Sequence, residues 1–281
     1  MEVFQQQASS VHQLLLQKWT ELDDSLTVGF TTRNGGISEQ PYHTFNIGLH
    51  VNDQPEAVLH NRRVLAESVG FSFDAWTCGE QVHSNVVAIV TKEERGRGSV
   101  SMADTLPGVD GIITNERDIL LTSFYADCVP LYFWDQDNHV IGLAHAGWKG
   151  TVSAIALNMV NTMRAAFGTD PQRLRCAIGP AIDGCCYQVN EVVINRIYEL
   201  WKELELPDDQ LEIVIKKQNE NFALINLKEI NRRIMIKAGI LASHIEISEM
   251  CTGCRTDLFF SHRMENGKTG RMASWIGLRK G

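Results

Sequence analysis

Short apolar runs closed by turn residues dominate this chain, and they outnumber the stretches with helical spacing. Residues 26–32 alternate enough to be a strand, and Arg33-Asn34-Gly35-Gly36 ends it as a turn. Further strands are expected at 85–90, 111–114, 119–125, 131–134, 140–144, 174–178, 222–225, 244–247, 258–261 and 272–275. Helices are fewer. Asp53-Gln54-Pro55-Glu56 reads as a capping box ahead of Val58, Leu59, Arg62, Leu65 and Val69, with Gly70 as the stop. A second helix is expected over 151–167, stopping at Gly168. A third is capped by Asn190 and carries the stripe Val193, Ile197, Leu200, Trp201 and Leu204. A fourth covers 227–238, before Gly239. Consecutive strands in this number predict an α+β fold with mixed sheets rather than a doubly wound parallel one.

The chain has 281 residues, 44% of them hydrophobic, enough for a large core. No internal repeat or low-complexity linker divides it, so residues 26–281 are read as one domain, with 1–25 an N-terminal extension packed on it. A formal net charge of −8 argues against a nucleic-acid partner, which needs a basic face. No run approaches the roughly 20 apolar residues of a membrane span, and residues 1–17 lack the pattern of a secretory signal. The seven cysteines form no disulfide framework, and reduced thiols in the cytoplasm are expected.

The residues with most chemistry stand where apolar runs end. His145 closes one run ahead of Ala146-Gly147-Trp148-Lys149-Gly150, Cys128 follows another in Ala126-Asp127-Cys128-Val129-Pro130, and His83 ends Glu80-Gln81-Val82-His83. Two imidazoles and a thiol at element ends make a three-ligand metal site with an open position. The plainer alternative is a buried small thiol and two ordinary histidines. Arg33, Arg62, Arg263 and Arg271 are candidate anion partners, though each taken singly reads as a surface or ion-paired residue. Cys251-Thr252-Gly253-Cys254 is a lone CxxC. Structural zinc would need a second pair, and only the vicinal Cys185-Cys186 is available, so two reduced thiols in a loop is the expectation. GxGxxG, Walker and GxSxG motifs are all missing, which gives no support to dinucleotide, P-loop or serine hydrolase chemistry.

One ordered set of motifs resembles a known family. It comprises Gly29-Phe30-Thr31-Thr32-Arg33, Gly35-Gly36, Ser38, Asn46-Ile47-Gly48, Asn61-Arg62, Gln81-Val82-His83, Asp127-Cys128-Val129-Pro130 and His145-Ala146-Gly147-Trp148. Ile178-Gly179-Pro180, Cys186-Tyr187 and Phe260-Ser261-His262-Arg263 continue it. The resemblance, from about residue 26 to Gly281, is to the YfiH/YlmD proteins, long labelled polyphenol oxidase or laccase-domain proteins. It implies an α/β fold with mixed sheets sandwiched between helices. It also implies purine nucleoside phosphorylase activity with adenosine deaminase and methylthioadenosine phosphorylase activities, and a zinc site on His83, Cys128 and His145. Gln188 departs from the Glu that many members carry after the Cys-Tyr pair, which puts an acid–base role there in doubt. The oxidase label does not fit the residues: this chain has nine histidines and no His-x-His pair of the kind a multicopper oxidase needs, although copper suits the same three ligands.

On this reading zinc, with copper as the alternative, activates water for attack on C6 of adenosine. Phosphate would be held near Arg33, Lys149 and Arg263, and nucleoside near Asn46 and Arg62. Asp127 would serve either as the acid–base group or as a capping residue. The rival enzyme uses Cys128 as a nucleophile, with His145 or His83 as its base, on an amide bond of a cell-wall precursor. A metal-storing or adaptor role is the non-enzymatic alternative.

Overall fold

The computed structural model describes residues 2–6 and 10–280. Its strands are β1 (Gln5–Gln6), β2 (Gln13–Leu15), β3 (Leu26–Thr31), β4 (Trp76–Cys78), β5 (Val87–Ile89), β6 (Gly111–Thr114), β7 (Leu120–Tyr125) and β8 (Val129–Asp135). They continue as β9 (Val140–Ala146), β10 (Arg175–Ile178), β11 (Gln188–Asn190), β12 (Ile215–Lys217), β13 (Phe222–Ile225), β14 (Ile245–Ile247) and β15 (Met272–Leu278). The α-helices are α1 (Gln17–Thr20), α2 (Pro55–Ser68), α3 (Trp148–Val152), α4 (Ile155–Phe167), α5 (Glu191–Glu203), α6 (Leu211–Val214) and α7 (Leu227–Lys237).

Two six-stranded mixed sheets form the frame. The first has the order β1-β2-β3-β15-β7-β4 and the second β14-β10-β8-β9-β6-β5, with β11-β13-β12 a small third sheet. Period-two alternation along each strand assigns its side chains to different layers. In β7, Leu121 and Tyr125 point into the core between the two large sheets, while Leu120 and Phe124 face α2. In β9, Ile141 and Leu143 enter that central core, while Val140, Ala144 and Ala146 pack under α4, α5 and α7. Strands apolar on both faces read as continuous runs, which is why they were easy to find and hard to orient. The layers are therefore helix, sheet, sheet and helices, as expected. Each buried Leu, Ile or Phe contributes about 1.5–3 kcal/mol, so these three cores dominate the favourable side of stability. Among the described residues no helix is long and apolar enough to cross a membrane.

Several expectations are corrected. Residues 258–261 are not a strand. Phe259 and Phe260 are buried, but no ladder forms: the Leu258 carbonyl accepts a single backbone N–H, from Arg33 at 2.7 Å, the Phe259 carbonyl accepts Arg33 Nη1 at 3.4 Å, and Phe260 N–H meets Met272 Sδ at 3.0 Å. The helix expected over 151–167 is two helices, because Ala154 adopts a left-handed φ of 55°. Asp53 is not the cap of α2; Gln54 occupies that position, Pro55 starts the helix, and Asp53 accepts from Gln54 N–H and Asn46 Nδ2. Asn190 does stand at the cap of α5, without a side-chain bond. Within the extension, β2 pairs with β3, and Trp19 packs on Trp134 with ring centroids 5.5 Å apart.

Candidate metal centre and its cavity

The site lies where the chain passes twice from the first sheet to the second. One passage links β7 to β8 through Ala126, Asp127 and Cys128; the other runs from β4 to β5 and carries His83. His145, on β9, sits opposite Pro130 of β8. Both passages need backbone that most residues avoid: Gln81, His83 and Asp127 have φ of 60°, 64° and 89°. Each such conformation costs roughly 1–2 kcal/mol, so specific bonds must hold it. Gln81 clamps its loop to the edge of β7, donating to the Phe124 carbonyl at 2.9 Å and accepting its N–H at 2.8 Å. Asp127 is buried, and Thr252 Oγ1 donates to its Oδ1 at 2.6 Å while Arg263 N–H donates to Oδ2 at 2.7 Å.

The Nε2 of His83 stands 3.9 Å from the Cys128 Sγ, and one donor atom each from His83, Cys128 and His145 lie within 4.8 Å of one another. In a tetrahedral zinc site with bonds of about 2.3 Å to sulfur and 2.0–2.1 Å to nitrogen, the S···N edge is about 3.6 Å. The observed cluster approaches that figure, and the donor set fits zinc or copper. Asp110, which the sequence reading passed over, completes the arrangement. Its buried carboxylate accepts from His145 Nδ1 at 2.9 Å, His83 N–H at 3.1 Å, Ser84 N–H at 2.6 Å and Ser84 Oγ at 2.9 Å. Holding Nδ1 of His145 protonated leaves its other nitrogen free as a ligand. The only sequence cue to Asp110 was an acidic residue immediately before an apolar strand.

Electrostatics couple the three groups. Burial works to raise the Cys128 thiol, but His145 and His83 overcome it and bring the thiol down to about 6. Burial likewise works to lower His145, but the Cys128 sulfur and Asp110 raise it to about 9. Asp110 itself is held below the ordinary carboxyl range: burial opposes this, and the bonds from His145 and Ser84 prevail. In the absence of metal these shifts favour a thiolate on Cys128 beside a protonated His145. Gly147 makes it possible, since a Cβ there would lie 2.8 Å from His83 Cδ2 and 3.1 Å from Cys128 Sγ. The absence of a side chain at Gly147 thus admits the chain's own His83 and Cys128 side chains.

The cluster opens into a cavity of about 740 Å³, within the usual range for small-ligand sites. Phe124, Trp148 and Tyr187 supply aromatic walls, and Arg263 and Arg271 supply positive charge. Lys149 lines an adjoining recess of about 220 Å³ that shares His83, Asp127 and Cys128. Three residues expected to bind substrate, Arg33, Asn46 and Arg62, are engaged by the fold itself. Arg33 bonds the carbonyls of His43 and Thr256, pairs with Glu265 and stacks on Phe260. Asn46 is buried between Asp53 and the Arg271 N–H. Arg62 is fully buried, donates to the carbonyls of Ile47, Gly98 and Ser99, and lies over the Trp76 and Phe124 rings. None of the three lines the cavity.

A family model described as multi-copper polyphenol oxidoreductase laccase matches residues 27–279, and the chain belongs to that family, which includes the YfiH/YlmD proteins. It is 43% identical over 253 residues to the Geobacillus stearothermophilus protein named purine nucleoside phosphorylase YlmD, covering 90% of each. The Bacillus subtilis protein of that name is 38% identical over 270 residues, 95% of each. The crystal structure of YlmD from Geobacillus stearothermophilus superimposes with a TM-score of 0.92 at 40% identity, covering 100% of both chains.

Proposed function

We propose that this chain is a metal-dependent purine nucleoside phosphorylase acting on adenosine, inosine and S-methyl-5′-thioadenosine, with adenosine deamination as a second activity of the same site. The observation that carries this reading is the His83-Cys128-His145 cluster facing a cavity with aromatic walls and arginines. Relatives named purine nucleoside phosphorylase support it. Its seven free cysteines are in keeping with a cytoplasmic enzyme.

Zinc is the preferred occupant, copper the alternative. A zinc ion bound there supplies Lewis-acid activation of water near neutral pH, the requirement of deamination at C6. In phosphorolysis a phosphate oxygen bonds to C1′ as the bond from C1′ to the purine nitrogen breaks, and the electron pair leaves with the base. Trp148 and Tyr187 offer faces on which the purine stacks. Arg263, Arg271 and Lys149 supply the charge that holds phosphate beside C1′. With both carboxylate oxygens already engaged, Asp127 acts as a positioning residue for Arg263 and the Cys128 turn rather than as an acid–base group.

One observation favours a second reading. Cys128, His145 and Asp110 also line up as nucleophile, base and orienting carboxylate, the arrangement of a cysteine hydrolase acting on an amide of a cell-wall precursor. A second imidazole on the same sulfur serves a metal better than it serves a triad. Product analysis decides between them. Inosine and phosphate are expected to give hypoxanthine and ribose 1-phosphate, and adenosine alone to give inosine. Neither product, with an amino acid released from a muramyl peptide, would overturn the proposal.

A further inference from the structure

The lone CxxC does not stay alone in the fold. The parallel pair β10 and β14 ends on one side of the second sheet, and the loops that follow carry Cys185-Cys186 and Cys251–Cys254 respectively. The pairing extends into those loops through a bridge between Ala181 and Cys251, and Thr252 N–H donates to the Ala181 carbonyl at 3.1 Å. The four sulfurs lie within 4.8 Å of one another. Cys254 Sγ is 3.4 Å from both Cys185 and Cys186, which are 3.7 Å apart. A disulfide needs about 2.05 Å. A tetrahedron of sulfurs around zinc, with bonds of about 2.3 Å, has edges of about 3.8 Å. The three separations of 3.4–3.7 Å, with all four sulfurs within 4.8 Å, lie far from a disulfide and near the tetrahedral edge.

We infer that Cys185, Cys186, Cys251 and Cys254 form a second, closed metal site, a four-thiolate structural zinc centre distinct from the His-Cys-His cluster. Its surroundings are built for that purpose. The Asp183 N–H donates to Cys251 Sγ at 3.3 Å, the backbone bond that steadies a thiolate ligand. A Cβ on Gly253 would meet Cys186 Cβ at 3.0 Å and its sulfur at 3.2 Å, so a glycine between the CxxC cysteines lets the second pair approach. Buried Lys228 ties the two loops together through the Asp183 carboxylate and the Ser248 carbonyl. Four sulfur ligands and no open position suit zinc in a structural role.

The centre also anchors the cavity. Thr252, within the CxxC, donates to Asp127 Oδ1, and Tyr187, next to Cys186, forms a cavity wall. Zinc joining the two loops would fix both from behind.

The test is zinc stoichiometry of the full-length protein purified without a histidine tag, measured by elemental analysis and native mass spectrometry. About two zinc ions per chain are expected, about one in Cys254→Ala and about one in His83→Ala, with Cys254→His restoring the pair. If the substituted chains do not fold, the wild type still decides. Cys185, Cys186, Cys251 and Cys254 should resist alkylation until a chelator is added, and cobalt exchanged into the protein should show the charge-transfer intensity of a four-sulfur tetrahedral site. A wild type with about one zinc per chain, its four loop cysteines alkylated at once or joined as a disulfide, would overturn the inference.

Discussion

Replacing Asp110 with asparagine removes one charge and changes almost nothing in shape, so it isolates the carboxylate's work. Four donors converge on its two oxygens, from His145, His83 and twice from Ser84. An asparagine offers one acceptor oxygen and one amide nitrogen. If the nitrogen takes the Ser84 side, the Ser84 N–H is left facing a donor, and an unsatisfied buried donor costs about 1–3 kcal/mol. If it takes the His145 side, the His145 proton must move to the nitrogen that faces Cys128, and the ligand lone pair is lost. Either way the site weakens. Loss of such a supporting bond typically lowers metal affinity 10–100-fold, equivalent to about 1.4–2.7 kcal/mol. Competition against a chromophoric chelator reads the affinity, and thermal unfolding of the metal-free protein reads the stability. A sign follows for pH. Because the folded carboxyl is held below its ordinary value, its stabilisation is present above about pH 4 and is lost as pH falls further. Asp110→Asn should therefore flatten the acid limb of stability. A variant whose metal affinity stays within about twofold of the parent, with the acid limb unchanged, would refute the orienting role.

Other outcomes follow from the same geometry. In chelator-stripped protein, alkylation of Cys128 followed by peptide mass spectrometry should reach half its plateau rate near pH 6, and a midpoint at the ordinary thiol value would show that the imidazoles do not stabilise the thiolate. Metal-loaded wild type should be alkylated there slowly, and Cys128→Asp should keep some metal and residual phosphorolysis, since a carboxylate oxygen still ligates zinc; equal alkylation rates with and without metal, together with a covalent substrate adduct, would point to the nucleophile. Gly147→Ala should stay folded yet lose most bound metal, its methyl displacing the His83 ring, and full metal content would mean the loop yields. Arg62→Lys should lower the melting temperature, since it sacrifices bonds to buried carbonyls at about 1–3 kcal/mol, while KM per folded molecule holds; a selective rise in KM would return Arg62 to the substrate site. Arg263→Gln and Arg271→Gln should each raise KM for phosphate about tenfold or more, and an unchanged KM would place phosphate elsewhere.

What could be read before folding, and what could not, follows from the range of the signals involved. The strands buried on both faces, β7 to β9 above all, announce themselves as apolar runs; Cys128 and His145 stand at the ends of these runs, and His83 lies in the loop between β4 and β5. The short β4 (Trp76–Cys78) escaped notice because three residues carry no period. Residues 258–261 misled because burial makes an apolar run whether the backbone is paired in a ladder or held by isolated bonds from Arg33 and to Met272. The arginines are ambiguous in sequence for a related reason. A guanidinium satisfies buried carbonyls as readily as it binds phosphate, and only packing separates Arg62 from Arg271. Asp110 and the four-cysteine cluster depend on contacts between residues far apart in the chain, such as Cys185 and Cys254, which no local pattern encodes.

His83, Cys128 and His145 are proposed to hold the metal on which nucleoside chemistry depends. Titrating zinc back into chelator-stripped protein while following phosphate-dependent release of hypoxanthine from inosine tests it most directly. Little release is expected from stripped protein, with a rise in proportion to occupancy of the His83 site and no recovery in His83→Ala. Stripped protein turning over inosine as fast as the reloaded enzyme would contradict it.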